Sequence, residues 1–115
     1  MYLPKKDIYN SLKNLTYNNK VIYVSQTQPA QFNDLPALIF SVGNNSIDTD
    51  LDNNILSQDL EVQIDIWAED SVSASEILSL VEETMRSNLY NMSFSNDVPN
   101  LGNLYHIVSR FTKTI

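Results

Sequence analysis

The sequence predicts an α+β domain, with two helices on one face of a mainly antiparallel sheet of about five strands, in the order α-β-β-β-α-β-β. Three observations carry this. Leu60, Val62, Ile64 and Ile66 alternate strictly with Glu61, Gln63, Asp65 and Trp67, the period of a strand with one covered face. Ser73-Ala74-Ser75-Glu76 reads as a capping box, and Ala74, Ile77, Leu78, Val81 and Met85 follow at helical spacing. Leu104 to Thr114 reads as a long last strand that runs almost to the end of the sequence. At 115 residues, 43% of them hydrophobic, the chain reads as one domain, 1–115, able to fill a modest core without metal or disulfide staples.

Each element has its own local reason. Pro4 suits a helix start, and Ile8, Leu12 and Leu15 recur at helical spacing over Lys5 to Leu15. Asn18-Asn19 is placed to end that helix, since Asn tolerates the left-handed conformation. Val21 to Val24 is a short β-branched and aromatic run, hence a strand. A polar loop from Gln26 to Leu35 follows, and Pro36 opens a second strand, Ala37 to Val42, apolar on both faces. Gly43 to Ile55, rich in Asn and Asp, reads as the least structured stretch and as a mobile loop. After the second helix, which ends near Asn88, Leu89 to Phe94 reads as a weak strand and Asn96 to Asn103 as a turn.

Charge and composition exclude several functions. No Lys or Arg falls between Val21 and Met85, a span that holds most of the acidic residues, and the net charge is -7. Such a surface repels phosphate, which disfavours tight nucleic-acid binding. The apolar runs are too short to span a membrane, and no apolar signal region follows Lys5-Lys6, so the expected compartment is the cytoplasm. The absence of Cys removes thiolate catalysis and Cys-type zinc sites.

The remaining residues offer little chemistry. His106 is the one histidine, with neither a second His nor a Ser nucleophile turn to complete a triad or a metal cluster. Glu82-Glu83 and Glu69-Asp70 are adjacent pairs whose side chains diverge, and two glycines cannot make a phosphate loop. Asp48-Thr49-Asp50-Leu51-Asp52 resembles the start of an EF-hand calcium loop. It lacks the sixth-position Gly, has Asp59 for the twelfth-position Glu and is flanked by no predicted helix, so a solvated hairpin loop is the better reading. Trp67, on the polar side of its strand beside Asp65, is either an interface anchor or a cover for the end of the second helix. The expected protein is therefore not an enzyme, uses no cofactor or metal, and works by binding other proteins.

The succession of a short N-terminal helix, "LPALIFSV", a long polar loop, "LEVQIDIWAEDSVSASEILSLVEETM" and the closing "LYHIVSRFTKTI" resembles the small tail-completion proteins of long-tailed bacteriophages, also called tail terminators or tail-to-head joining proteins. The elements that carry the likeness are Asp65-Ile66-Trp67 entering a helix and the aromatic-basic strand from Tyr105 to Phe111. The resemblance implies a structural virion protein that caps the tail tube as a homo-oligomeric ring, typically a hexamer, and docks it to the head connector. It implies assembly in the cytoplasm of an infected bacterium, or a prophage origin. On that reading Ile47, Leu51 and Ile55 are candidate contacts for a neighbouring subunit, and Asp48, Asp50, Asp52, Glu61 and Asp65 are candidates for a DNA-repelling lining. Arg110 and His106 share one face of the last strand and are expected to pair with carboxylates at a subunit or strand contact. The alternative is a monomeric adaptor or inhibitor that binds through its acidic face or a sheet edge.

Overall fold

The computed structural model of the chain describes residues 3–26, 35–99 and 104–115. The expected loop at Gln26 to Leu35 and the Gly102 end of the expected turn fall largely or wholly outside them. Helix α1, Lys5–Leu12, starts at Pro4, whose carbonyl accepts from the Ile8 N–H at 2.9 Å. It stops three residues earlier than expected, because Thr16–Tyr17 (β1) folds back on Lys20–Val21 (β2). Asn18 and Asn19 form the two-residue turn between them, with φ of 52° and 64°. Left-handed conformations at both central positions define the hairpin turn that matches strand twist, and Asn adopts them readily. Asn18-Asn19 is thus a strand turn rather than a helix stop. The strand expected at Val21 to Val24 is split: Ile22 is buried and its N–H bonds back to the Leu15 carbonyl, separating β2 from β3, Tyr23–Ser25.

The remaining strands are β4, Ala37–Thr49; β5, Ile55–Ala68; β6, Asn91–Val98; and β7, Tyr105–Thr114, with helix α2, Ser71–Ser87, between β5 and β6. The main sheet has the order β3-β4-β5-β7-β6, and only its β3–β4 pair is parallel. The α+β class and the mainly antiparallel sheet match the expectation; the strand count and order do not. The described residues form seven strands in the order α-β-β-β-β-β-α-β-β, because Thr16–Tyr17 pairs with Lys20–Val21 as a separate hairpin ahead of Tyr23–Ser25.

Both helices lie on one face of the sheet. Ile8 and Leu12 of α1 and Ala74, Ile77, Val81 and Met85 of α2 bury against Leu38, Phe40, Leu60, Val62, Ile64, Ile66, Ile107 and Phe111. Ser109, also on this face and fully buried, donates its hydroxyl proton to the Ile64 carbonyl at 2.9 Å and so meets the cost of burying a polar group. The capping residue of α2 is Asp70, not Ser73: its carboxylate accepts from the Ser73 N–H at 2.7 Å. That hydrogen bond holds the Asp70 carboxyl below its ordinary value. The other end of α2 closes with Leu89 N–H on the Arg86 carbonyl and Tyr90 N–H on the Met85 carbonyl, the paired bonds of a Schellman motif.

The largest departure is at Gly43 to Ile55. This stretch is not a loop. β4 runs on to Thr49 and β5 begins at Ile55, joined in register from Asn44↔Glu61 to Thr49↔Ile55. A bulge at Gly43 lets β4 continue, and a Cβ there would come within 3.3 Å of the Glu61 carboxylate. Past Leu60 the hairpin leaves the helical cover and projects as an arm of roughly 17 Å, five residues at about 3.3 Å each.

Candidate interaction site

The arm is built by its turn. Asp50 accepts from the Asp52 and Asn54 N–H groups, each at 2.9 Å, and from the Asn54 side-chain amide at 3.2 Å. Asn53 takes a φ of 64° in the same turn. These bonds, that to the Asn54 N–H foremost, hold the Asp50 carboxyl below its ordinary value. The EF-hand likeness has this physical origin: Asp and Asn at alternating positions form an Asx-type turn between two strands, with no flanking helix. Among the described residues no three His, Asp or Glu side chains are grouped to hold a metal.

Along the arm, Asp48 accepts the Ser57 hydroxyl at 3.0 Å, Asp59 accepts the Thr114 hydroxyl at 2.7 Å, and Gln58 exchanges two backbone hydrogen bonds with Ile115. The rest is bare. Ile47 and Ile55 are each more than 40% exposed, Leu56 is 66% exposed, and Leu51 at the tip stands fully in solvent. Ile47, Leu51 and Ile55 are therefore exposed together on one projecting element. Leu56 belongs with them, and a bulge beside it hides it from simple strand alternation.

The acidic candidates are not equivalent. Asp48, Glu61 and Asp65 project from the sheet face opposite the helices, and Asp59 with them, by strand alternation and register. Glu61 and Asp65 are half-buried, Asp50 is committed to the turn, and Asp52 lies exposed at the tip. Asp65 faces His106, with Nε2 to Oδ1 at 3.6 Å, and accepts from the Gln63 amide at 3.2 Å. Arg110 Nε donates to Gln63 Oε1 at 3.4 Å, and its guanidinium lies 5.2 Å from the centre of the Phe94 ring. Arg110 thus meets Gln63 across the β5–β7 ladder, an amide and not the expected carboxylate, while His106 Nε2 lies near Asp65 without a hydrogen bond to it.

Trp67 meets neither of its two expectations. It is 7% exposed, so it is no free anchor, and it lies on the face away from α2. It packs with Ala37 and Ile39, with Leu35 and Leu104 at the margin, and stacks on His106 at a centroid distance of 3.9 Å and an interplanar angle of 11°. The result is a small second core on the open face. His106, near the start of β7, is one wall of it.

At the opposite edge of the sheet, β6 is exposed along nearly its whole length, Met92 and Phe94 included. Leu89, just before it, is 74% exposed at a φ of 69°. Two of the clefts hold about 390 Å³ each. One lies between α1 and the end of α2, lined by Asp7, Tyr90 and Lys113; the other lies beside His106, Asp97 and Ser75. No protein-family model matches the chain, and no curated protein matches it either. No described helix is long and apolar enough to cross a membrane.

Proposed function

We propose that this chain is a structural subunit that assembles with copies of itself into a ring at the head-proximal end of a bacteriophage tail, capping the tube and joining it to the head connector. It acts by binding, without catalysis or cofactor. The observation that carries the reading is the β4–β5 arm. A hairpin that leaves its own core and displays Ile47, Leu51, Ile55 and Leu56 to solvent is costly for an isolated monomer, because apolar surface in water favours association. An element of that kind suits a protein whose working state is an assembly. The resemblance of the element succession to tail-completion proteins supports the same reading, and the long basic-free span suits a ring that lets DNA pass without gripping phosphate.

Deleting the gene from the phage or prophage that carries it tests the proposal. Lysates should hold filled heads and separate tails, and supplying the protein should restore joined particles. Normal virions without the protein would overturn it.

A further inference from the structure

We infer that the subunits join head-to-tail, the β4–β5 arm of one copy docking along the β6 edge of the next. This deepens the ring reading and rests on it for the existence of self-association. The sheet has two unlike free edges. β3 covers β4 only at Ala37, Leu38 and Ile39, so the outer edge from Phe40 to Thr49 meets no described strand, and the outer edge of β6 meets none either. Free edges of this kind are templates for a further strand.

The strand directions fit. β5 runs antiparallel to β4, β7 to β5 and β6 to β7, so β6 runs opposite to β4. A neighbour placed by rotation about an axis along the strands would present its β6 antiparallel to β4, the commoner pairing. A stagger of a few residues brings the arm itself onto β6, as strands inclined to a ring axis require.

The surfaces also match, face by face. In a sheet continued across the junction, helix side meets helix side. There the arm offers Ile47, and the β6 edge offers Met92 with Leu89 before it. On the open side the arm offers Asp48, and the β6 edge offers Phe94 backed by Arg110. The charge split selects the partner. Arm against arm would bring Asp48 and Asp52 of two copies together, which like charges oppose, whereas arm against β6 sets carboxylate against guanidinium. A contact between two different patches is heterologous, and it closes into a ring or runs on as a filament; it does not stop at two. Leu89 adds an independent sign. A branched apolar residue held left-handed and exposed is strained, and such strain collects at contact and functional sites.

Sedimentation of the full-length protein tests this. The parent should form species larger than a dimer of 13.1 kDa chains. Asp48→Lys and Arg110→Glu, made separately, should each weaken association about tenfold or more, and mixing the two variants should restore it, because each junction then regains opposite charges. Circular dichroism checks that both variants are folded. As a second measure, the chain has no cysteine, so Ile47→Cys mixed with Met92→Cys should give a cross-linked pair that neither variant gives alone. Larger species that ignore both charge reversals would overturn the arm–β6 contact while leaving the ring standing. A parent that stops at a dimer, or stays monomeric at high concentration, would overturn the head-to-tail junction; the gene-deletion phenotype then judges the tail function separately.

Discussion

Leu89 and Tyr90 each carry a local cost, one in backbone conformation and one in an unpartnered buried hydroxyl. Leu89 occupies the left-handed position after α2, with φ of 69°, where a β-carbon costs about 1–2 kcal/mol and Gly is the usual occupant. Its side chain is mostly in solvent, so truncation loses little burial. Leu89→Gly should therefore stabilise the isolated subunit by about 0.5–1 kcal/mol after the added freedom of the unfolded chain is subtracted. In urea titration the midpoint should rise; a fall would mean that Leu89 packs against its own subunit. If Leu89 serves the β6 contact, the same variant should associate less well. Tyr90 is buried, and its hydroxyl has no hydrogen-bond partner among the described residues. Burial raises its pKa above the ordinary 10.0, with the Asp7 charge adding to the effect. A raised pKa contributes stability that is whole below the unfolded value and is lost as pH climbs through the folded one. Tyr90→Phe should match or exceed the parent at pH 8, by up to about 1 kcal/mol, and should lose less stability than the parent above pH 10. Equal alkaline losses in both proteins would place the responsible group elsewhere.

At the scale of elements, the strands and helix with one strong period were legible and the segments without one were not. β5 and α2 were readable because alternation and the 3.6-residue stripe each leave a direct trace of burial in the sequence. In β7, Ile107 and Phe111 are buried on the helix side, and Tyr105, in phase with them, is about half exposed at the strand's start. Phe111 is fully buried beside Val62, in register with it and with Met92. Phe111→Ala should cost about 3–5 kcal/mol, read as a fall in melting temperature or urea midpoint. A near-parental midpoint would mean that the site collapses without loss. Elements escaped detection where tertiary contacts override local pattern. The β1–β2 hairpin is too short to show a period, and Asn18-Asn19 stops a helix as readily as it turns a strand. Asp70 caps α2 although Ser73 and Glu76 fit a box, because the chain enters the helix one turn sooner. The open-face core was half visible. Ala37 and Ile39 were read as apolar on a second face, but nothing in the spacing announced that Trp67 and His106 would stack there.

For the whole molecule the decisive feature is shape, and shape was the least legible property of the sequence. From Ser46 to Asp59 the arm is polar except at Ile47, Leu51, Ile55 and Leu56, so its composition reads as loop, while pairing between Asn44↔Glu61 and Thr49↔Ile55 makes it a hairpin. Its consequence is measurable. A compact chain of this length has a radius of gyration of about 13 Å. Here the value is 15.4 Å, with extents of 54 × 27 × 23 Å, so the protein is drawn out along one axis. On the proposed reading that elongation separates two roles, a core that folds and an arm that associates, and excision of the arm tests the division. Residues 46–59 can be replaced by Asn-Gly between Asn45 and Leu60, which are register partners, so a two-residue hairpin turn spans the gap. The shortened protein loses the Asp59–Thr114 hydrogen bond and the Gln58–Ile115 backbone pair, but keeps Leu60 and everything beneath the helices. Its melting temperature should stay within a few degrees of the parent, since about 1 kcal/mol moves a domain of this size by about 4–8 °C. Scattering should show the radius of gyration falling toward about 13 Å. Association should vanish, because the edge of β4 that remains is short and has lost Ile47, Leu51, Ile55 and Leu56 together. Unfolding on excision would make the arm part of the fold, and undiminished association would place the contact on the core. Only a folded, compact monomer matches a subunit whose arm exists for its neighbour.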